Sequence, residues 1–201
     1  MAYPTVSAPY GLKPVNLIGG QVFTGATRQF QIASAYNTSI FNGDLVKIVS
    51  AGTIEKDAGT TTATPVGVFL GCSYVNAQGQ TIYQQYFPAN TAAPTGTVIT
   101  AFVADDPDTL FKVAVVSGTT VVAGVGRTVI GNNMSLVQNA GSSATGDSKV
   151  AVLSSSAATT NTLPIRVIDV VPDTATAADT YVELIVKFNW GMHQYQNATG
   201  V

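Results

Sequence analysis

The sequence predicts an all-β protein, a β-barrel or jelly-roll-like β-sandwich with an extended N-terminal arm and a docked C-terminal tail. Three observations carry that reading. Apolar residues recur at every second position in short runs, Gly, Asn, Asp and Ser separate the runs, and no window holds three helical turns of amphipathic period. Charge is scarce as well: Asp, Glu, Lys and Arg make up 10 % of the chain, against about 25 % in an ordinary soluble domain. With 46 % hydrophobic residues the chain can still build a core. A surface of hydroxyls and small side chains exerts little long-range electrostatic pull, and it suits flat contact with another protein surface.

Residues 1–20 carry Pro4, Pro9 and Pro14 with Tyr3 and Tyr10. Proline at this spacing blocks a helix and weakens strand pairing, so the segment is expected as an arm. Its apolar residues, Tyr3, Tyr10, Leu12 and Ile18, call for a docking surface. One all-β domain follows over 21–188. After the turn Asn42-Gly43-Asp44, Val46 and Ile48 alternate with Lys47 and Val49, and Thr53-Ile54-Glu55 forms a short return strand. Strand 65–74 places Val66, Val68, Leu70, Cys72 and Tyr74 on one face, with Gly67 and Gly71 opposite, where another backbone can come close. Further strands are expected at 96–103, 110–116, 148–153, 163–171 and 181–188. In the last, Val182, Leu184, Val186 and Phe188 share a face, with Tyr181, Glu183 and Lys187 on the other. Residues 137–162, rich in Ser, Ala, Thr and Gly, read as a surface excursion around a short apolar strand. Residues 189–201 form the tail. One helical turn is expected at Asp105-Asp106-Pro107-Asp108, where Asp can cap and Pro can open the turn.

Bulk properties narrow the function. The net charge of -2 and pI near 5.1, with nine cations that never form a run, argue against nucleic-acid binding, which needs clustered positive charge. A single cysteine, Cys72, forbids an intramolecular disulfide and reads as a buried, inert thiol. The start Met1-Ala2-Tyr3-Pro4 lacks the basic and apolar regions of a signal peptide. No apolar run approaches the roughly 20 residues that cross a bilayer as a helix. The expectation is synthesis in a cytoplasm without membrane insertion.

No pattern in the chain reads as an active site. His193, the only histidine, stands in Trp190-Gly191-Met192-His193-Gln194-Tyr195 without a Gly-x-Ser-x-Gly elbow elsewhere, so a hydrogen-bonding role in the tail is expected. Asp105, Asp106 and Asp108 are the densest carboxylates, but Pro107 stands where a calcium loop needs flexibility. Gly124, Gly126 and Gly131 lack the Gly-Lys-Ser/Thr ending of a phosphate loop. No enzyme activity, metal or cofactor is expected. The candidate contact residues are Tyr3, Pro4, Tyr10 and Leu12 in the arm, and Trp190, His193 and Tyr195 in the tail.

Several stretches are familiar as a set. They are Tyr10-Gly11-Leu12-Lys13-Pro14-Val15 with Ile18-Gly19-Gly20, Ile40-Phe41-Asn42-Gly43-Asp44-Leu45-Val46-Lys47, Val66-Gly67-Val68-Phe69-Leu70-Gly71, the run from Ala104 through Val113, Thr162-Leu163-Pro164-Ile165-Arg166-Val167, and the close from Lys187 to Gln194. Together, and in order, they resemble a family of small head proteins from tailed bacteriophages. The tail departs from the family's simpler Asn-Asn-His ending through Trp190-Gly191-Met192. The resemblance implies a capsid decoration (cement) protein, made in the host cytoplasm. It implies a homotrimer on the outer surface of the virion, bridging neighbouring subunits of the major capsid protein. The alternative is a phage tail or fibre component with a carbohydrate-binding β domain, for which Tyr83, Tyr86 and Phe87 would supply the aromatic cluster.

Overall fold

A computed structural model describes residues 8–174 and 181–201. In chain order its strands are β1 (Lys13–Leu17), β2 (Arg28–Ile32), β3 (Leu45–Ile48), β4 (Ile54–Lys56), β5 (Gly67–Val75), β6 (Thr81–Gln84), β7 (Ile99–Ala104), β8 (Thr109–Val116), β9 (Asn133–Met134), β10 (Leu136–Val137), β11 (Ala151–Leu153), β12 (Ile165–Val170) and β13 (Glu183–Phe188). The only helical pieces among the described residues are single 3-10 turns, such as Gln194–Gln196 in the tail. The chain is nearly all β, as its two-residue periodicity predicts.

Two sheets share the strands. Strands β2 to β7 form the first in the order β3-β4-β2-β7-β5-β6, and β3 also pairs with β5 through Leu45↔Val68 and Val46↔Gly67. That extra pairing brings the sheet round into a nearly closed barrel. Its interior holds Ile32, Val46, Ile54, Phe69, Phe87, Ile99 and Val103. Buried side chains of this size each stabilise the fold by roughly 1.5–3 kcal/mol. The second sheet runs β10-β11-β8-β13-β12-β9, with β1 also paired to β8. It covers a separate core that includes Leu12, Phe111, Val113, Ile165, Leu184 and Val186.

Strand β5 shows how the barrel closes. A bulge between Phe69 and Gly71 in its pairing with β7 reverses the alternation. Phe69 and Cys72 therefore enter the barrel, whereas Val68 and Leu70 pack on the second core. The single apolar face expected over 65–74 is thus split between the two cores. The paired glycines do meet backbone: a Cβ on Gly67 would lie 2.3 Å from the Ala104 carbonyl oxygen, and one on Gly71 would lie 3.0 Å from that of Gln84.

Three further expectations change. The described part of the expected arm, residues 8–20, is built into its own chain. Lys13–Leu17 pairs antiparallel with β8, and Leu12 is fully buried in the second core. Pro14 is tolerated because β8 is the one strand paired with β1, whose other side meets only the isolated Asn16↔Val22 bridge. The stretch 137–162 is less superficial than its composition suggests, since Val150 and Val152 are core residues and β11 pairs parallel with β8. No helical turn forms at 105–108. A tight turn joins β7 to β8, with the Asp108 N–H donating to Asp106 Oδ1 at 2.8 Å and the Thr109 N–H to the Asp106 carbonyl at 3.1 Å.

Candidate functional site

The tail returns to the junction of the two sheets and is fastened there by side chains. His193 lies beneath the Phe188 ring, fully buried. Its Nδ1 accepts the Tyr195 N–H at 3.3 Å, so Nε2 carries the proton and donates to the Asp105 carbonyl at 3.1 Å. Burial pulls its pKa below the ordinary histidine value, against its backbone hydrogen bonds, and the ring is neutral. The Tyr195 hydroxyl donates to Asp105 Oδ2 at 2.8 Å, and Arg28 Nε donates to the same oxygen at 2.6 Å. Burial, followed by the Asp105 contact, pushes the Tyr195 phenol up to about 12. His193 is therefore a structural post of its own chain with no surface to offer a partner, while Tyr195 remains partly exposed.

A second polar joint fastens the N-terminal side. The hydroxyls of Tyr10 and Tyr181 both donate to Glu183 Oε1, the latter at 2.7 Å, and Lys112 Nζ lies 3.3 Å away. Burial alone would raise the Glu183 pKa, but these three partners outweigh it and hold the carboxylate below its ordinary range. Burial and the neighbouring carboxylate raise both phenols, so neither tyrosine is poised to ionise near neutrality. Tyr10 thus serves an internal contact, and Leu12 is core. Tyr3 and Pro4 lie outside the described residues.

A third joint centres on Asp44, which is fully buried. Its carboxylate accepts from the Phe41 N–H at 2.9 Å, Lys56 Nζ at 2.9 Å and Ser148 Oγ at 2.6 Å. The Asn42-Gly43-Asp44 turn, legible in the sequence as a strand boundary, thereby ties β4 to the segment before β11. Cys72 is buried, and burial pushes its thiol up to about 12. Among the described residues no three His, Cys, Asp or Glu side chains cluster as metal ligands.

The outward chemistry lies elsewhere. Trp190 is 80 % exposed and forms one wall of a recess of about 270 Å³ that Arg166, Ile168, Lys187 and Gln196 also line. Arg166 and Lys187 face each other as register partners across β12 and β13. The sequence shows two cations 21 positions apart, and only strand register brings them together. The aromatic cluster that the alternative reading needs does not form: Tyr83 is exposed, but Tyr86 stacks on Phe41 at 5.4 Å and Phe87 is fully buried. The chain matches no protein-family model, no curated protein and no solved structure.

Proposed function

We propose that the chain is a capsid decoration (cement) protein of a tailed bacteriophage. In this reading it sits as a homotrimer on the outer surface of the virion and bridges neighbouring subunits of the major capsid protein. One observation carries the reading beyond the family resemblance. The carboxylates Asp44, Asp105 and Glu183 are engaged in joining distant parts of their own chain, while Ile18, Val22, Tyr83, Val98 and Val121 stand exposed on a body of low charge. Such a body bears little net charge and can bury apolar area against protein neighbours. A trimer that touches several shell subunits at once gains retention from linked contacts, each modest by itself.

Copy number tests this reading. Quantitative mass spectrometry of purified virions should find the chain in the hundreds of copies expected of a shell component. A handful of copies would indicate a tail part, and none would remove it from the particle. Light scattering on the purified protein should give a trimer mass.

A further inference from the structure

Antiparallel register sets Arg166 directly opposite Lys187, with both side chains on the same outward face. Like charges in that relation repel, where an opposite charge would attract. Here the relief is slight. Arg166 is held by neutral oxygens, donating to Asn133 Oδ1 and, at 3.2 Å, to Asn189 Oδ1. Lys187 reaches one carboxylate among the described residues, that of Asp108, at 3.5 Å. Two positive charges thus face a single carboxylate, and the pair keeps a net positive charge.

What surrounds them is equally specific. The indole of Trp190 offers a bare apolar face, Ile168 adds a second apolar wall, and the Gln196 side chain makes no hydrogen bond among the described residues. Arg166 binds its amide partners through Nε and Nη2, which leaves Nη1 free to donate. A volume of about 270 Å³ is room for one ring, just under the range of roughly 300–1,000 Å³ usual for small-molecule sites.

We propose that this recess binds an acidic saccharide, one sugar ring bearing a carboxylate. The carboxylate lies between Arg166 and Lys187, the apolar face of the ring stacks on Trp190, and a hydroxyl meets Gln196. An acidic side chain of a protein partner would satisfy the cations but leave the indole face uncovered, so the saccharide accounts for more of the site. The site goes beyond shell binding and does not depend on it.

Trp190 is the only tryptophan in the chain, so tryptophan emission, excited beyond the tyrosine absorption band, reports on this recess alone. The full-length protein is titrated with a galacturonic acid trisaccharide, the corresponding neutral galactose trisaccharide, and a glutamate-rich peptide. A saturable change is expected with the acidic sugar at millimolar concentration and not with the neutral one. Lys187→Gln should weaken binding about tenfold, the loss of one charge-assisted hydrogen bond. Its unfolding midpoint should stay close to that of the wild type, because the cross-strand repulsion and the exposed Asp108 ion pair are lost together. No saturation with the acidic sugar would overturn the proposal. So would an equal response to the neutral sugar, which makes the cations irrelevant, or a response to the peptide alone, which makes the recess a protein contact. None of these outcomes changes the copy number in virions.

Discussion

The side-chain amide of Gln194 pairs with the main chain of Ile48 as a neighbouring strand would. Its Nε2 donates to the Ile48 carbonyl at 3.0 Å, and its Oε1 accepts the Ile48 N–H. Ile48 lies beyond the last β5 partner of β3, where the barrel edge would otherwise stand open. Replacing Gln194 with Ala removes both bonds and should cost about 1–3 kcal/mol. Urea unfolding should show a lower midpoint with an unchanged slope, since the exposed area on unfolding is the same.

His193 sets a pH dependence of defined sign. Its folded pKa lies below its unfolded value of 6.5, so the unfolded chain takes up the proton first. Its contribution is complete above pH 6.5 and is lost as pH falls through the depressed folded value. Glu183, also depressed, loses its contribution only as pH falls below its ordinary 4.5, so the two windows are separate. Denaturant midpoints measured between about pH 7 and 5 should fall for the wild type and flatten in His193→Gln.

Leu12 separates a free arm from a built-in strand. It has no exposed surface and packs in the core beneath β8. Leu12→Ala should cost about 2–5 kcal/mol by calorimetry on the isolated protein. Deleting residues 1–12 should destabilise the body by at least as much, because Tyr10 is lost with it. An unchanged melting temperature would return the segment to the status of a loose arm.

The Tyr10–Glu183–Tyr181 joint predicts non-additivity. Either Tyr→Phe change leaves Glu183 one hydroxyl donor and Lys112, and should cost about 1 kcal/mol. The double variant leaves a buried carboxylate with Lys112 alone and should cost more than the sum of the two. A double-mutant cycle read by urea unfolding measures the excess. In the double variant only Lys112 opposes the upward pull of burial on Glu183, so the loss of stability as pH falls below 4.5 should shrink.

The elements legible in the sequence were those with clean two-residue alternation and a clear turn at each end. Strands β3, β8 and β13 fall where their periodicity puts them, and Val182, Leu184, Val186 and Phe188 are buried together. Alternation fails at a bulge, which is why 65–74 could not be divided between two cores from its pattern. Strand β1 was hidden by Pro14, since proline disfavours pairing unless one side of the strand is free. Strand β2, with Arg28, Gln29 and Gln31 around Phe30, is too polar to announce itself. The recess beside Trp190 was the least visible feature. Its cations are distant in the chain, and no short motif encodes a cross-strand register.

The pairing of Arg28 with Val103 bears on how the chain is assembled. These residues stand close to the entry and exit of the barrel, so the barrel is an insertion whose two ends lie side by side. During synthesis β1 emerges before the barrel, and its partner β8 after it. Joining them directly would require closing a long flexible loop, at an entropy cost that grows with its length. Once the barrel has formed, that loop is reduced to the short connections on either side of it, and the Arg28–Asp105 ion pair holds those connections together. The barrel thus acts as the chain's own scaffold, bringing β1 to its place beside a strand that emerges only after the barrel is made.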